Sequence, residues 1–326
     1  MAGGRRYHQS MMGEMGSELF GRCLRASQKR KFLCFLIVEA EMINSVRKLL
    51  VAIGLVVLLP GLAKADGISL RITGGLSYGL FGDVNTATRG IFNLYKDDVV
   101  ALGGSYIERL KRVHFGPAYS ADLIYNFDAE FSIALGAGYF QAKNTSGLTL
   151  VPLDAPETSG SVFHDVRAIP VRLSLIDTRR INDMVSAYFE AGADAYFAQF
   201  REVFMPPDGT IGDQQKANGI GWGLHYAVGL QVELASHFAF VVEGRGQFAQ
   251  IRRFHGTIDS LDTSAPFRES GALYYFDLMG GPDGQTPYPM ILVQETAPSG
   301  DLFSNVRRAR VNFSGFSLQA GFKIRL

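Results

Sequence analysis

The sequence predicts an all-β fold, an eight-stranded antiparallel transmembrane β-barrel built as an up-and-down meander. Three observations carry that reading. The chain closes on Phe316, Leu318, Ala320, Phe322, Ile324 and Leu326, each separated by one residue from Ser317, Gln319, Gly321, Lys323 and Arg325. A strand sends alternate side chains to opposite faces, so one face here is greasy and the other polar. The same two-residue alternation recurs in several long upstream segments. Short turn-like links and long polar links then alternate between those segments, as they do in barrels that cross a membrane.

Composition permits this fold without demanding it. The 326 residues are 47% hydrophobic and 19% charged, with 37 Gly, 24 Phe and 13 Tyr. Glycine and aromatic residues at this level suit tight turns and interfacial rings.

Residues 1–41 are basic and patternless and read as a non-native or unstructured extension, with Met42 as the expected start; a long leading region of the export signal is the alternative. Residues 42–65 read as a secretory signal peptide. Arg47 and Lys48 precede an apolar run from Leu49 to about Leu59, a Pro60-Gly61 break and an Ala63-Lys64-Ala65 site, with cleavage expected after Ala65. The apolar run is short for a membrane span. Residues 66–326 form the barrel domain. Both cysteines, Cys23 and Cys34, precede it, so disulfide and thiol chemistry are not expected there. The first 65 residues hold 10 of the 32 Lys+Arg and 4 of the 31 Asp+Glu, which leaves 22 against 27, a net charge of about −5. That balance argues against a nucleic-acid partner.

Eight strands follow in order: 68–80, 113–125, 131–141, 166–176, 184–200, 219–234, 238–250 and 310–326. The turn at Asn126-Phe127-Asp128-Ala129 joins the second and third into a hairpin whose tight end is expected at the periplasmic side. Polar loops are expected at 82–112, 142–165 and 201–218. The longest, 251–308, contains two apolar β-prone runs, Ala272 to Phe276 and Met290 to Val293. A loop of that length without structure is uncommon, so a hairpin that extends the barrel or folds over its mouth is expected there.

Alternation assigns Arg71, Arg172, Arg245, Lys323 and Arg325 to the inner face with Asp122, Glu190, Asp194, Glu233 and Glu243. Five charges of each sign balance, and charges in a narrow barrel must pair. Glu190 and Asp194 are expected to face Arg172 and Lys323, and Glu243 with Arg245 to join a plugging salt-bridge network. A soluble, lipocalin-like barrel would reverse the faces. Against it stand Phe189, Phe197, Trp222, Tyr226, Phe238 and Phe322, which would overfill a small interior.

Catalytic residues, cofactors and metals are not expected. His114, His164, His225, His237 and His255 form no spaced cluster, and no H-x-x-x-H spacing occurs. His225 reads as a lumen histidine hydrogen-bonded to its neighbours. Asp208 to Asp213 is too short for a calcium loop and reads as a loop tip.

Gly116-Pro117-Ala118-Tyr119 with Leu123 to Phe127, Ile169-Pro170-Val171, Ala187 to Gly192, Gly229-Leu230 and Glu243 resemble the small outer-membrane β-barrel superfamily, which includes OmpW-like and OmpA-barrel-like proteins. The resemblance spans the barrel domain and is carried by structural residues, so it speaks to architecture more than to function. It implies the cell outer membrane as location and outer-membrane lipid and lipopolysaccharide as surroundings. Periplasmic chaperones and the barrel assembly machinery are the implied assembly partners. The implied insertion signal is Phe316, Leu318, Phe322, Ile324 and Leu326; members usually end on an aromatic, and this chain ends on Leu326. Three functions stay open: a structural or surface-interaction barrel, a narrow channel for small hydrophobic solutes, and, last, an outer-membrane enzyme.

Overall fold

The computed structural model describes residues 67–326 apart from 209, 263, 265, 282 and 283. The extension, the signal peptide and its cleavage residues Ala63 and Ala65 lie outside the described residues.

Eight strands close a ring: β1 (Ile68–Gly79), β3 (Phe115–Asn126), β4 (Phe131–Val151), β5 (Thr158–Arg180), β6 (Val185–Met205), β7 (Asp213–Ala235), β8 (Phe238–Ile251) and β14 (Gly315–Arg325). Each pairs antiparallel with its neighbours, and β14 closes the ring between β8 and β1. The register, followed once around from Ser69 through Ile124, Ala134, Ser174, Gly192, His225, Gln247 and Gly315, returns to Gly79, a stagger of ten residues (79 less 69). With strands about 4.8 Å apart and about 3.3 Å of rise per residue, that stagger tilts the strands by about 40°.

Side chains set where each strand turns. At one end the chain reverses tightly. The Asp128 carboxylate accepts from the Glu130 and Phe131 amides, both at 2.7 Å, and the Asn182 side-chain oxygen accepts from Met184 and Val185, both at 2.9 Å. These are turns in which a short polar side chain stands in for backbone, the usual use of Asp and Asn.

At the other end the strands overshoot. β4 to β7 run 21, 23, 21 and 23 residues, about twice what a tilted crossing needs. Expected loops 142–165 and 201–218 are therefore mostly strand. The upper half of β7 leaves β8 and pairs with β9 (Phe254–Ser260), which continues through β10 (Arg268–Gly280) to β11 (Thr286–Gln294). β12 (Phe303–Arg308) pairs with the rest of β10, and β13 (Val311–Asn312) pairs with β8. The expected hairpin within 251–308 is thus part of a second tier of sheet. Loop 82–112 is also structured: it holds helix α1 (Asp83–Ala101) and β2 (Ser105–Arg109), which pairs with the top of β4.

The two tiers invert one another. In the lower ring the outer face carries Leu76, Phe115, Leu173, Trp222, Leu224 and Leu318, with Trp222 75% exposed, while the inner face carries charge. Soluble monomers rarely expose apolar patches beyond a few hundred Å². In the upper tier the inside is apolar instead: Val162, Phe200, Ala217, Leu273, Ile291 and Val293 are buried, and Arg167, Arg201 and Lys216 lie on the outward side. Lipid surrounds the first tier and water the second.

Glycine makes room where the lumen is tightest. A Cβ on Gly136 would sit 1.8 Å from the Asp122 carboxylate, whereas one on Gly244, on the outer face, meets nothing within 4 Å. Gly136→Ala is expected to destabilise the barrel by about 1–3 kcal/mol, and Gly244→Ala to leave it unchanged. Urea titration of the gel shift between folded and unfolded protein measures both.

Candidate functional site: the lumen and its cover

Arg71 on β1 stands at the centre of the lumen. Its Nη2 donates to Asp122 on β3 at 2.9 Å and to Glu190 on β6 at 2.6 Å, and its Nη1 lies 3.5 Å from Glu243 on β8. Arg172 on β5 donates to the other Asp122 oxygen at 3.0 Å. Arg245 donates to Glu243 at 3.0 Å and lies 3.3 Å from Glu190. The Tyr188 hydroxyl donates to Glu243 at 2.7 Å, and its ring lies under the Arg71 guanidinium at 5.4 Å.

His225 completes the network. Its Nδ1 lies 2.9 Å from Asp194, and its Nε2 lies 3.2 Å from Glu190 and 3.0 Å from the Ser174 hydroxyl. The Nε2 contacts are hydrogen bonds, whereas the Nδ1–Asp194 approach is short but not aligned as one. The buried set holds three arginines, Arg71, Arg172 and Arg245, and His225 among four carboxylates, Asp122, Glu190, Asp194 and Glu243. Ser174, His225 and Asp194 are the residue types of a nucleophile, base and orienting acid, but the His225–Asp194 contact is not aligned as a hydrogen bond. A base must offer a free lone pair to the hydroxyl, and Glu190 takes that position.

The ten residues expected as one lumen network therefore divide. Arg71, Asp122, Arg172, Glu190, Asp194, Glu243 and Arg245 come together. Glu233 and Arg325 pair separately at the lower rim, at 2.5 Å, half out in solvent. Lys323 lies at the lower mouth beside Gln231 and Tyr188 and makes no ion pair among the described residues. Arg172 and Lys323 are not the partners of Glu190 and Asp194; Arg71, Arg245 and His225 are. Arg172 lies opposite Asp194 in the β5–β6 register, but its guanidinium turns to Asp122 instead. His225 as a member of this cluster was signalled only by its inward phase on β7.

Phe81, Phe140, Phe313 and Tyr196 roof the network, with Phe81 stacked on Phe140 at 5.7 Å and edge-on to Phe313 at 5.5 Å. Above them α1 covers the cup. Asp83 at its start accepts from Arg307 at 2.6 and 2.8 Å and from the Arg310 amide at 2.7 Å. Lys96 pairs with Glu108 on β2 at 2.8 Å, and the Tyr288 hydroxyl donates to Asp97 at 2.7 Å. At Gly90 the helix lies flush on β11, where a Cβ would come 1.9 Å from the Pro289 carbonyl. A buried chain runs beneath: His164 meets Glu202 at 2.8 Å, and Gln215 donates to Glu202 at 2.6 Å and to the Ile291 carbonyl at 3.1 Å. Among the described residues no group of three or more His, Cys, Asp or Glu is arranged to hold a metal ion.

Phe316, Leu318, Phe322, Ile324 and Leu326 are exposed on the outer side of β14 or just beyond it, in the strand that closes the ring.

A closed ring of staggered strands, an apolar outer band and a lumen filled by paired charge define the fold class: a transmembrane β-barrel. No family model matches the sequence, and no curated protein sequence matches it. Among solved structures, the outer membrane protein OprG from Pseudomonas aeruginosa is similar at 13% identity and a TM-score of 0.35, covering 80% of this chain and 98% of that one. The outer membrane protease OmpT from Escherichia coli is similar at 9% identity and a TM-score of 0.39, covering 81% and 98%. Ail, the attachment invasion locus protein of Yersinia pestis, is similar at 13% identity and a TM-score of 0.29, covering 79% and 99%. The class rests on the ring, band and lumen described above.

Arg71→Met is expected to leave three buried carboxylates undercompensated and to cost about 3–5 kcal/mol. Adding Glu190→Gln to it should restore part of that loss, read as urea-induced unfolding in detergent micelles.

In the upper tier, burial raises the Asp213 carboxyl to about 6. The folded chain then binds this proton more tightly than the unfolded chain does. Stability from this group is fully present below its ordinary value of 3.8 and is lost as pH rises through about 6. Asp213→Asn is expected to flatten the pH dependence of amide exchange in β7 and β9 across that window.

Proposed function

We propose that this chain is an integral outer-membrane protein that acts as a structural or surface-interaction barrel, presenting its upper tier outside the cell and its tight turns to the periplasm. Export by the cleaved signal 42–65 and insertion through β14 by the barrel assembly machinery belong to the same reading. The observation that carries it is the filled interior: Arg71 and its carboxylates cross the lumen, and the Phe81, Phe140 and Phe313 cluster roofs it. An eight-stranded barrel is just wide enough for its side chains to fill. What remains to meet a partner is the upper tier, where strands, α1 and β2 form a rigid platform.

The channel reading would draw support from an apolar pocket beneath the last long connection, opening sideways between strands. A hollow of about 530 Å³ does lie in the wall, lined by Ala187, Phe189, Val228, Leu230 and Val242. It sits near the tight-turn end of β6 to β8, far along the strands from β9 to β12. An enzymatic reading would rest on Ser174, His225 and Asp194, where the His225–Asp194 contact is not aligned as a hydrogen bond and Glu190 shares Nε2 with the Ser174 hydroxyl.

Protein extracted from membranes and reconstituted in planar bilayers is expected to show no discrete conductance steps. Regular openings in the intact protein would overturn the filled-barrel reading in favour of transport.

A further inference from the structure

The lower mouth of the lumen closes on a small pocket to which each of the eight ring strands contributes a residue. It leaves about 10 Å³ for a water-sized occupant. That is about what one molecule of this size requires, so larger solutes do not fit. Arg71 and Lys323 both line it, and they are direct register partners across β1 and β14. Like charges set opposite one another on neighbouring strands work against the pairing.

The two cations are served unequally. Arg71 donates from Nε and Nη2 to Asp122 and Glu190, while its Nη1 approaches Glu243 at 3.5 Å, a longer contact that leaves donor capacity on that nitrogen. Lys323 makes no ion pair and no hydrogen bond among the described residues, and its register partner on β8 is Ala239. The lumen acids of β7 and β8 are already engaged: Glu233 by Arg325 and Gln231, and Glu243 by Arg245 and the Tyr188 hydroxyl. Of the hydroxyls in the pocket wall, Ser132 donates to the Asn126 side chain at 2.8 Å. The Thr178 hydroxyl has no hydrogen-bond partner among the described residues.

We propose that this pocket binds a single monatomic anion, a halide such as chloride, held by the Lys323 ammonium and the Nη1 edge of Arg71 with the Thr178 hydroxyl as a third donor. A cation drawn away from bulk water is costly unless opposite charge meets it, and no side chain of the lumen meets Lys323. A water molecule in the same place accepts the same protons but leaves two like charges facing each other. An anion satisfies the donors and offsets the repulsion together. The volume excludes phosphate, sulfate and carboxylate-bearing solutes, and the sign of the charge excludes metal ions. Arg71 and its carboxylates close the lumen behind the pocket, so the ion is a resident one and not a permeant one. The site lies inside the ring and stands whether or not the upper tier meets a partner.

The test uses the full chain extracted from membranes into detergent micelles, at one pH and one ionic strength, with chloride or gluconate as the added anion. Urea unfolding is followed by the fluorescence of Trp222, the single tryptophan of the chain. At about 100 mM chloride the unfolding constant is expected to be about tenfold smaller than in gluconate, which corresponds to a Kd of roughly 10 mM. Lys323→Gln, shown to be folded by a cooperative transition, is expected to give the same constant in both salts. No advantage of chloride in the unaltered chain, or an equal advantage in folded Lys323→Gln, overturns the proposal. Crystals of the unaltered chain grown in bromide give a reading that needs no variant. An anomalous peak beside Lys323 and Arg71 is expected, and its absence overturns the site even where Lys323→Gln fails to fold.

Discussion

Charge that cannot reach water must meet opposite charge, and in this barrel that requirement converges on Arg71. Its guanidinium ties β1 to β3, β6 and β8 across the lumen through Asp122, Glu190 and Glu243. A strand registered one residue off would send its member of this set into lipid and an aliphatic side chain into the network. The network therefore selects a single register as well as filling the space. Arg71, Arg172 and Arg245 gather Asp122, Glu190 and Glu243 into direct ion pairs, and His225 lies against Glu190 and Asp194.

Above this layer the solvent changes and the wall changes with it. β5 shows the transition along one strand: Arg172 and Ser174 point inward with Leu173 and Leu175 outward, and higher up Val166 and Val162 point inward with Arg167 outward. The period of two never breaks. Only the sense of the alternation flips, because lipid lies outside the lower segment and water outside the upper one. The roof of Phe81, Phe140 and Phe313 marks the level of the switch on the inside.

The upper tier behaves as an ordinary water-facing domain built on a membrane base. Its core is apolar, and its gap is closed by α1 through Asp83 with Arg307, Lys96 with Glu108 and Asp97 with Tyr288. Three polar ties to three different strands hold the helix where apolar packing alone, through Ile91 and Phe92, would leave it free to slide.

The sequence by itself determined the fold class, the eight crossing segments and the face that each lumen residue occupies, because strand alternation is local and a membrane punishes any error in it. It could not determine where the strands end. Outward Arg167, Arg201 and Lys216 look like loop residues when every strand is judged by an apolar outer face, so the upper halves of β4 to β7 and the helix in 82–112 were legible only in three dimensions. Nor could it determine who pairs with whom. Register neighbours need not pair: Arg172 lies opposite Asp194 yet turns to Asp122, and Lys323 lies opposite Arg71, a like charge, while Glu190 is reached across the lumen by Arg71 and Arg245. Pairing in a tilted barrel depends on the sum of all eight registers, a global quantity that no single strand carries.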